Sequence, residues 1–211
     1  MDLAEMRSRA RRDLHDEDVA TQRWSDAELE RHIARAVQEL SLHAPRELKS
    51  TLTTTAGSRD LSLVSLSGLR SVEAVEYPVG LYPPGYARFS VWGSALTLLV
   101  ESAPAGAEQV AVFYAASHTL DASSSTLPPA LEDAVATGAA GYAALAWASL
   151  AANRVNVGGE EAWRHYLVWG QERLAAFARA LAEQGRSRSL RVRQLYSPAG
   201  PAPLQSTDWQ P

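Results

Sequence analysis

The chain contains no cysteine. That excludes a disulfide framework, a cysteine-based zinc site, an iron–sulfur cluster and a cysteine nucleophile. Lysine is nearly absent as well. Of 20 basic residues only Lys49 is a lysine, and the others are arginines, so basic contacts here are forked and planar rather than point charges. No charge sign dominates: 24 acidic residues leave a formal net charge of −4, without the global basic bias of a nucleic-acid binder. The segment Met1-Asp2-Leu3-Ala4-Glu5 is charged and lacks the apolar run of a signal peptide. There is no Walker loop, no paired-glycine dinucleotide fingerprint, no HExxH and no nucleophile elbow.

What is present is 211 residues, 46% of them apolar, enough for one fair-sized domain with a core of its own. Residues 2–14 read as a short helix, with Leu3, Met6, Ala10 and Leu14 near one face. His15-Asp16-Glu17-Asp18 opens a polar loop that runs to Trp24 and reads as solvated rather than as a hard-metal site. Ser25 and Glu28 have capping-box spacing, and Trp24 can staple onto Leu29. The helix that follows should stop near Ala44, before Pro45.

From Leu48 to Ala115 the apolar period changes from helical to two. Residues 50–56 and 59–64 flank Gly57-Ser58 like the arms of a hairpin, and Val72–Tyr77 reads as a third strand. A second two-residue turn, Gly93-Ser94, lies between strands at 87–92 and 96–100, and Gln109–Tyr114 is a sixth. This spacing predicts an antiparallel sandwich or small barrel. A loop at 116–127 leads to Pro128-Pro129 and a helix over about 130–152. Residues 134–153 carry no charge. Their Ala- and Gly-rich composition favours a helix surrounded by protein over a membrane span, and more faces of it need cover than one small bundle supplies. A final helix carries the seam Trp163, Leu167, Gly170, Leu174, Phe177 and Leu181, with Gly185 as its expected cap.

The expected fold class is therefore α+β. Helical segments 1–46 and 118–184 form one bundle, with a β-module inserted at 47–117 and an extended tail at 185–211. The tail has a net charge of +3, leaving −7 on the rest. Leu190-Arg191-Val192-Arg193-Gln194-Leu195-Tyr196 alternates like a strand and needs burial, which favours docking on protein over nucleic acid.

Few residues invite chemistry. His118, Asp121 and Ser123–Ser125 include the residue types of a hydrolytic triad, but all sit in one loop, whereas a triad needs converging rigid elements. A polar loop contacting a partner is the preferred reading of His118 and Asp121. Trp163 reads as a core aromatic. Tyr166 and Trp169, with Arg173, lie off the seam and suit a subunit contact, since such surfaces favour Tyr, Trp and Arg. No residue pattern implies a cofactor or a metal.

Trp24-Ser25-Asp26-Ala27-Glu28-Leu29, then Ala36-Val37-Gln38-Glu39-Leu40, resembles the N-terminal part of head–tail connector (adaptor) proteins of tailed bacteriophages. The order of helices, β-insert and helices extends the likeness over about residues 1–184. The resemblance implies a virion protein without catalysis, assembled in the host cytoplasm. It implies a ring, usually of twelve copies, beneath the portal, which extends the channel through which double-stranded DNA passes. The ring would carry the next neck or tail component and bind no membrane. On this reading Arg188, Arg191, Arg193, Leu195, Tyr196 and Trp209 dock on the portal. The rival reading is a nucleic-acid-binding regulator using the arginine-rich first helix or the tail.

Overall fold

The computed structural model describes residues 1–152 and 161–195, the last ten of these as helical backbone. Two helices come first. α1 (Leu3–Asp13) starts on a capping box in which Asp2 and Glu5 satisfy each other's amides. α2 (Asp26–His43) starts on the expected one: Ser25 Oγ accepts from the Glu28 amide, and Glu28 accepts from the Ser25 amide at 2.8 Å. It ends at His43, with Ala44 as cap, because Pro45 disfavours another helical residue before it.

Six strands follow: β1 (Arg46–Thr53), β2 (Asp60–Ser62), β3 (Leu69–Glu76), β4 (Phe89–Trp92), β5 (Ala95–Leu98) and β6 (Gln109–Ala116). They form two antiparallel three-stranded sheets, ordered β1-β6-β3 and β2-β5-β4. The sheets share an apolar core in which Leu61, Leu96 and Leu98 meet Val75, Val110 and Val112. They do not close, so the barrel alternative falls. The β4–β5 hairpin turns at Gly93-Ser94 as expected, and the φ of +58° at Gly93 explains the glycine.

The expected hairpin around Gly57-Ser58 does not form. The chain does turn there, but β1 pairs with β6 and β2 pairs with β5. Residues 54–59 cross from one sheet to the other, pinned by bonds from Thr54 to Glu108 and from Gly57 to Pro104. A turn signal fixes a local reversal, while burial of Leu61 in the shared core decides the pairing.

A short 3-10 turn, Pro129–Leu131, leads into α3 (Glu132–Ala151), and α4 (Ala162–Leu195) returns antiparallel. The glycines of α3 make the approach close. A Cβ at Gly138 would lie 2.7 Å from the Phe177 ring, and one at Gly141 3.0 Å from Leu174. α1, α2 and α4 all pack on α3, and eleven of its residues are buried. Ring neighbours are thus not needed to cover most of this helix, contrary to expectation. What stays open is its C-terminal end, at Ala146, Ser149 and Leu150. Pro129–Ala151 is, among the described residues, the one helical stretch long and apolar enough to cross a membrane, and it lies inside this bundle.

α4 does not stop at Gly185. It runs on to Leu195, so residues 190–195 are helical rather than strand-like. One glycine costs a helix only about 1 kcal/mol relative to alanine. The next ten residues are Arg, Ser, Leu, Val and Gln with no proline, so nothing enforces an end at 185. Tyr196 and Trp209 lie outside the described residues.

Candidate functional site

The triad constellation is dismantled by its own hydrogen bonds. His118 is buried, its Nδ1 2.8 Å from the carbonyl of Thr126 and its Nε2 2.9 Å from that of Ala44. Its amide donates to Ser41 Oγ at 2.9 Å. Asp121 faces away from it. The Asp121 carboxylate accepts the amides and hydroxyls of both Ser123 and Ser124 at 2.8–3.0 Å. The Ser123 amide first, then the Ser124 and Ser123 hydroxyls, hold its pKa down to about 2. The ring therefore grips backbone and the serine hydroxyls are donors to Asp121, so His118, Asp121 and a serine do not line up as a relay. Of the two residues expected to face a partner, Asp121 is at the surface and His118 is within the fold.

The polar loop after α1 is exposed from His15 to Arg23 as the sequence suggests, with Asp16 the exception. Asp16 is buried. It takes the Arg11 guanidinium at 2.5 Å and the Arg23 amide at 2.6 Å. Arg11 also reaches the Trp24 carbonyl and Asp26. The Arg11 hydrogen bond, opposed by desolvation and helped by the charges of Arg7 and Arg11, holds the Asp26 carboxyl below its usual range. Among the described residues no group of three or more His, Asp or Glu is placed to hold a metal ion.

The aromatic residues proposed for a subunit contact are partly used inside the chain. Tyr166 packs against Trp147, with ring centroids 4.5 Å apart, and edge-on to Trp24. Its hydroxyl accepts from Arg23. Trp169 lies under the Arg173 guanidinium at 4.9 Å and borders a small hollow with Leu14, His15 and His165. Trp163, expected in the seam, is only half-buried, with Arg164 at 5.2 Å from its ring centroid.

The most exposed apolar surface belongs to the β-module, and the sequence reading did not single it out. Tyr82 is 98% exposed and Trp92 90% exposed, and Leu81 and Val64 are also open. Trp92 sits beside the Gly93-Ser94 turn. Leu81 and Tyr82 head a loop, 77–86, that is held shut. The Tyr77 amide bonds Gly85, the Gly80 amide bonds Glu76, and the Tyr77 hydroxyl bonds Glu108. Lys49 pins Glu76 at 3.2 Å. An apolar tip on a braced loop is suited to protein contact rather than to chemistry. The available signal was an aromatic next to a tight turn, and another between prolines.

A family model described as SU10 adaptor protein matches residues 1–200. No curated protein matches the chain. The neck of an empty GTA particle, computed with C6 symmetry, includes a chain 17% identical to this one. The match covers 80% of this chain and 88% of that one, at a TM-score of 0.30, too low to carry an argument.

Proposed function

The chain belongs to the SU10 adaptor protein family, and from that premise we propose that it works as a head–tail adaptor in a phage-like particle. Copies form a ring beneath the portal, twelve being the expected number. The ring prolongs the DNA channel and carries the next neck or tail component. The work is mechanical, with assembly in the host cytoplasm and residence in the virion neck. The observation that carries this reading is the family match, which takes in the helices and the β-module together.

Two features support the finer assignments. The exposed Tyr82, Leu81 and Trp92 offer the β-module as the platform for the tail-side component. The net charge of −7 outside the tail, repeated around a ring, repels phosphate, so that DNA passes without sticking. Arg188, Arg191, Arg193 and Leu195 on the last turns of α4, with Tyr196 and Trp209 beyond it, dock on the portal. Tyr166, Trp169 and Arg173 lie at the contact between copies, and Asp121 on the tail side.

The test is the mass of the purified chain alone and mixed with portal. A portal complex holding many copies is the expected result. A chain that stays monomeric and ignores portal overturns the reading. Deleting 186–211 should abolish portal binding while the bundle stays folded, because the buried Phe177 and Leu181 precede the cut.

A further inference from the structure

We propose that the tail-side component attaches to the outer edge of β4 by adding an extended strand of its own to the β2-β5-β4 sheet. The inference rests on the platform reading above and supplies its contact. Two open three-stranded sheets have four edges, formed by β1, β3, β2 and β4. An unprotected edge is a template for another chain, and proteins blunt it with charge, proline, bulges or brevity. Three edges here are blunted. β1 carries Arg46, Glu47 and Lys49. β3 carries Arg70 and Glu73, its register shifts twice, and its end is covered by residues 85–87. β2 is three residues long and opens on Asp60. β4 reads Phe-Ser-Val-Trp, with no charge, no proline and no register shift.

The direction of the β4 backbone follows from its ladder. The Leu99 amide donates to the Arg88 carbonyl at 2.8 Å, so residues 88, 90 and 92 face β5. Leu98, opposite Phe89, instead donates to Arg59, just before β2, at 2.9 Å. Phe89 and Val91 therefore turn their N–H and C=O groups outward, and these two donors and two acceptors have no partner among the described residues. The row sits between side chains in need of cover. Val91 is 41% exposed on the face by which Phe89 packs on the β-core, and Trp92 is 90% exposed on the other face. A strand laid along β4 pairs the four backbone groups and covers both side chains. Its chemistry follows: an extended segment, uncharged where it meets β4, with apolar side chains toward Val91 and Trp92.

A second copy is the weaker occupant. Two β4 edges paired with each other close a twofold dimer, whereas copies around a ring are related by a rotation that keeps every β4 running the same way. A head-to-tail neighbour would have to offer a different edge, and each of those is blunted.

The experiment measures how portal complexes built with the full chain or its variants recruit tails purified from the same particles. Amide exchange is followed beside it, before and after recruitment. Val91→Pro deletes one outward N–H at a position that has no bond to β5 to lose. Val91→Thr keeps that N–H and the branched side chain. Val91→Pro should recruit about tenfold less than wild type, and Val91→Thr within about twofold of it. In the wild type the Phe89 and Val91 amides should exchange fast before tails are added and slowly afterwards. This second readout needs no variant, so it stands even if Val91→Pro misfolds. Fast exchange at both amides in the recruited complex overturns the inference, as does normal recruitment by a folded Val91→Pro. If Trp92→Ala then still abolishes recruitment, the platform stands and only the strand pairing falls; if Trp92→Ala also recruits normally, the platform reading falls as well. Slow exchange at both amides before tails are added assigns the edge to a second copy or to the portal and overturns the inference too.

Discussion

At the scale of single residues, the most consequential polar side chain is Arg11. It is nearly buried, and it bonds Asp16, Asp26 and the Trp24 carbonyl at once. Removing it leaves the Asp16 carboxylate buried without its cation, a loss of about 3–5 kcal/mol. Arg11→Ala should lower the urea midpoint accordingly, and adding Asp16→Ala should recover part of the loss. Asp121 makes a different prediction. Its carboxyl is depressed to about 2 by the amides and hydroxyls of Ser123 and Ser124. A depressed carboxylate stabilises the fold above its unfolded value and loses that contribution as pH falls through the folded one. Asp121→Asn should therefore flatten the fall in stability between about pH 4 and pH 2. Titration of the wild type and the variant by circular dichroism at fixed urea checks this.

At the scale of elements, the α3–α4 contact depends on the absence of a side chain. Alanine at Gly138 would gain about 1 kcal/mol of helix propensity. Its Cβ, however, would meet the Phe177 ring at 2.7 Å, inside the shared helical core. The ring is buried on all sides, so the overpacking cost of about 1–3 kcal/mol should win. Gly138→Ala is expected to be less stable than wild type in urea, and equal or greater stability would refute the close-packing account. The α2 cap is smaller in effect. Ser25→Ala removes the acceptor for the Glu28 amide and should cost about 1 kcal/mol, read as an equal shift in unfolding free energy. The Arg-rich run after Gly185 belongs to this scale as well. It is the end of a 34-residue helix, so the proposed portal contact starts from a helical arm instead of an extended segment.

At the scale of the whole molecule, stability and contact surface are separate. The helical core and the β-core are built from different residues, and Tyr82 and Trp92 belong to neither. Tyr82→Ala and Trp92→Ala should leave the unfolding midpoint within about 0.5 kcal/mol of wild type. If the β-module is the tail-side platform, the double variant should still bind portal but fail to recruit the next neck or tail component. Co-sedimentation with each partner reads the two outcomes apart. Normal recruitment by the double variant would remove these residues from the proposed platform.

The sequence by itself determined most of the elements, the C-terminal end of α4 being the exception. Ser25 with Glu28, Pro45, Gly93-Ser94, Pro129 and the small residues of α3 act through neighbours a few positions away, and all took their expected places. The order of helices, β-insert and helices, and with it the resemblance to connector adaptors, could be read for the same reason, and the family match agrees. Tertiary structure decided what depends on distant partners. Only the shared core could send β2 to β5 instead of β1. Only the fold could bring Arg11 to bury Asp16, turn His118 inward onto Ala44 and Thr126, or leave Tyr82 and Trp92 uncovered. Local pattern records what a residue prefers, whereas burial and hydrogen-bond partnership depend on which remote atoms arrive beside it.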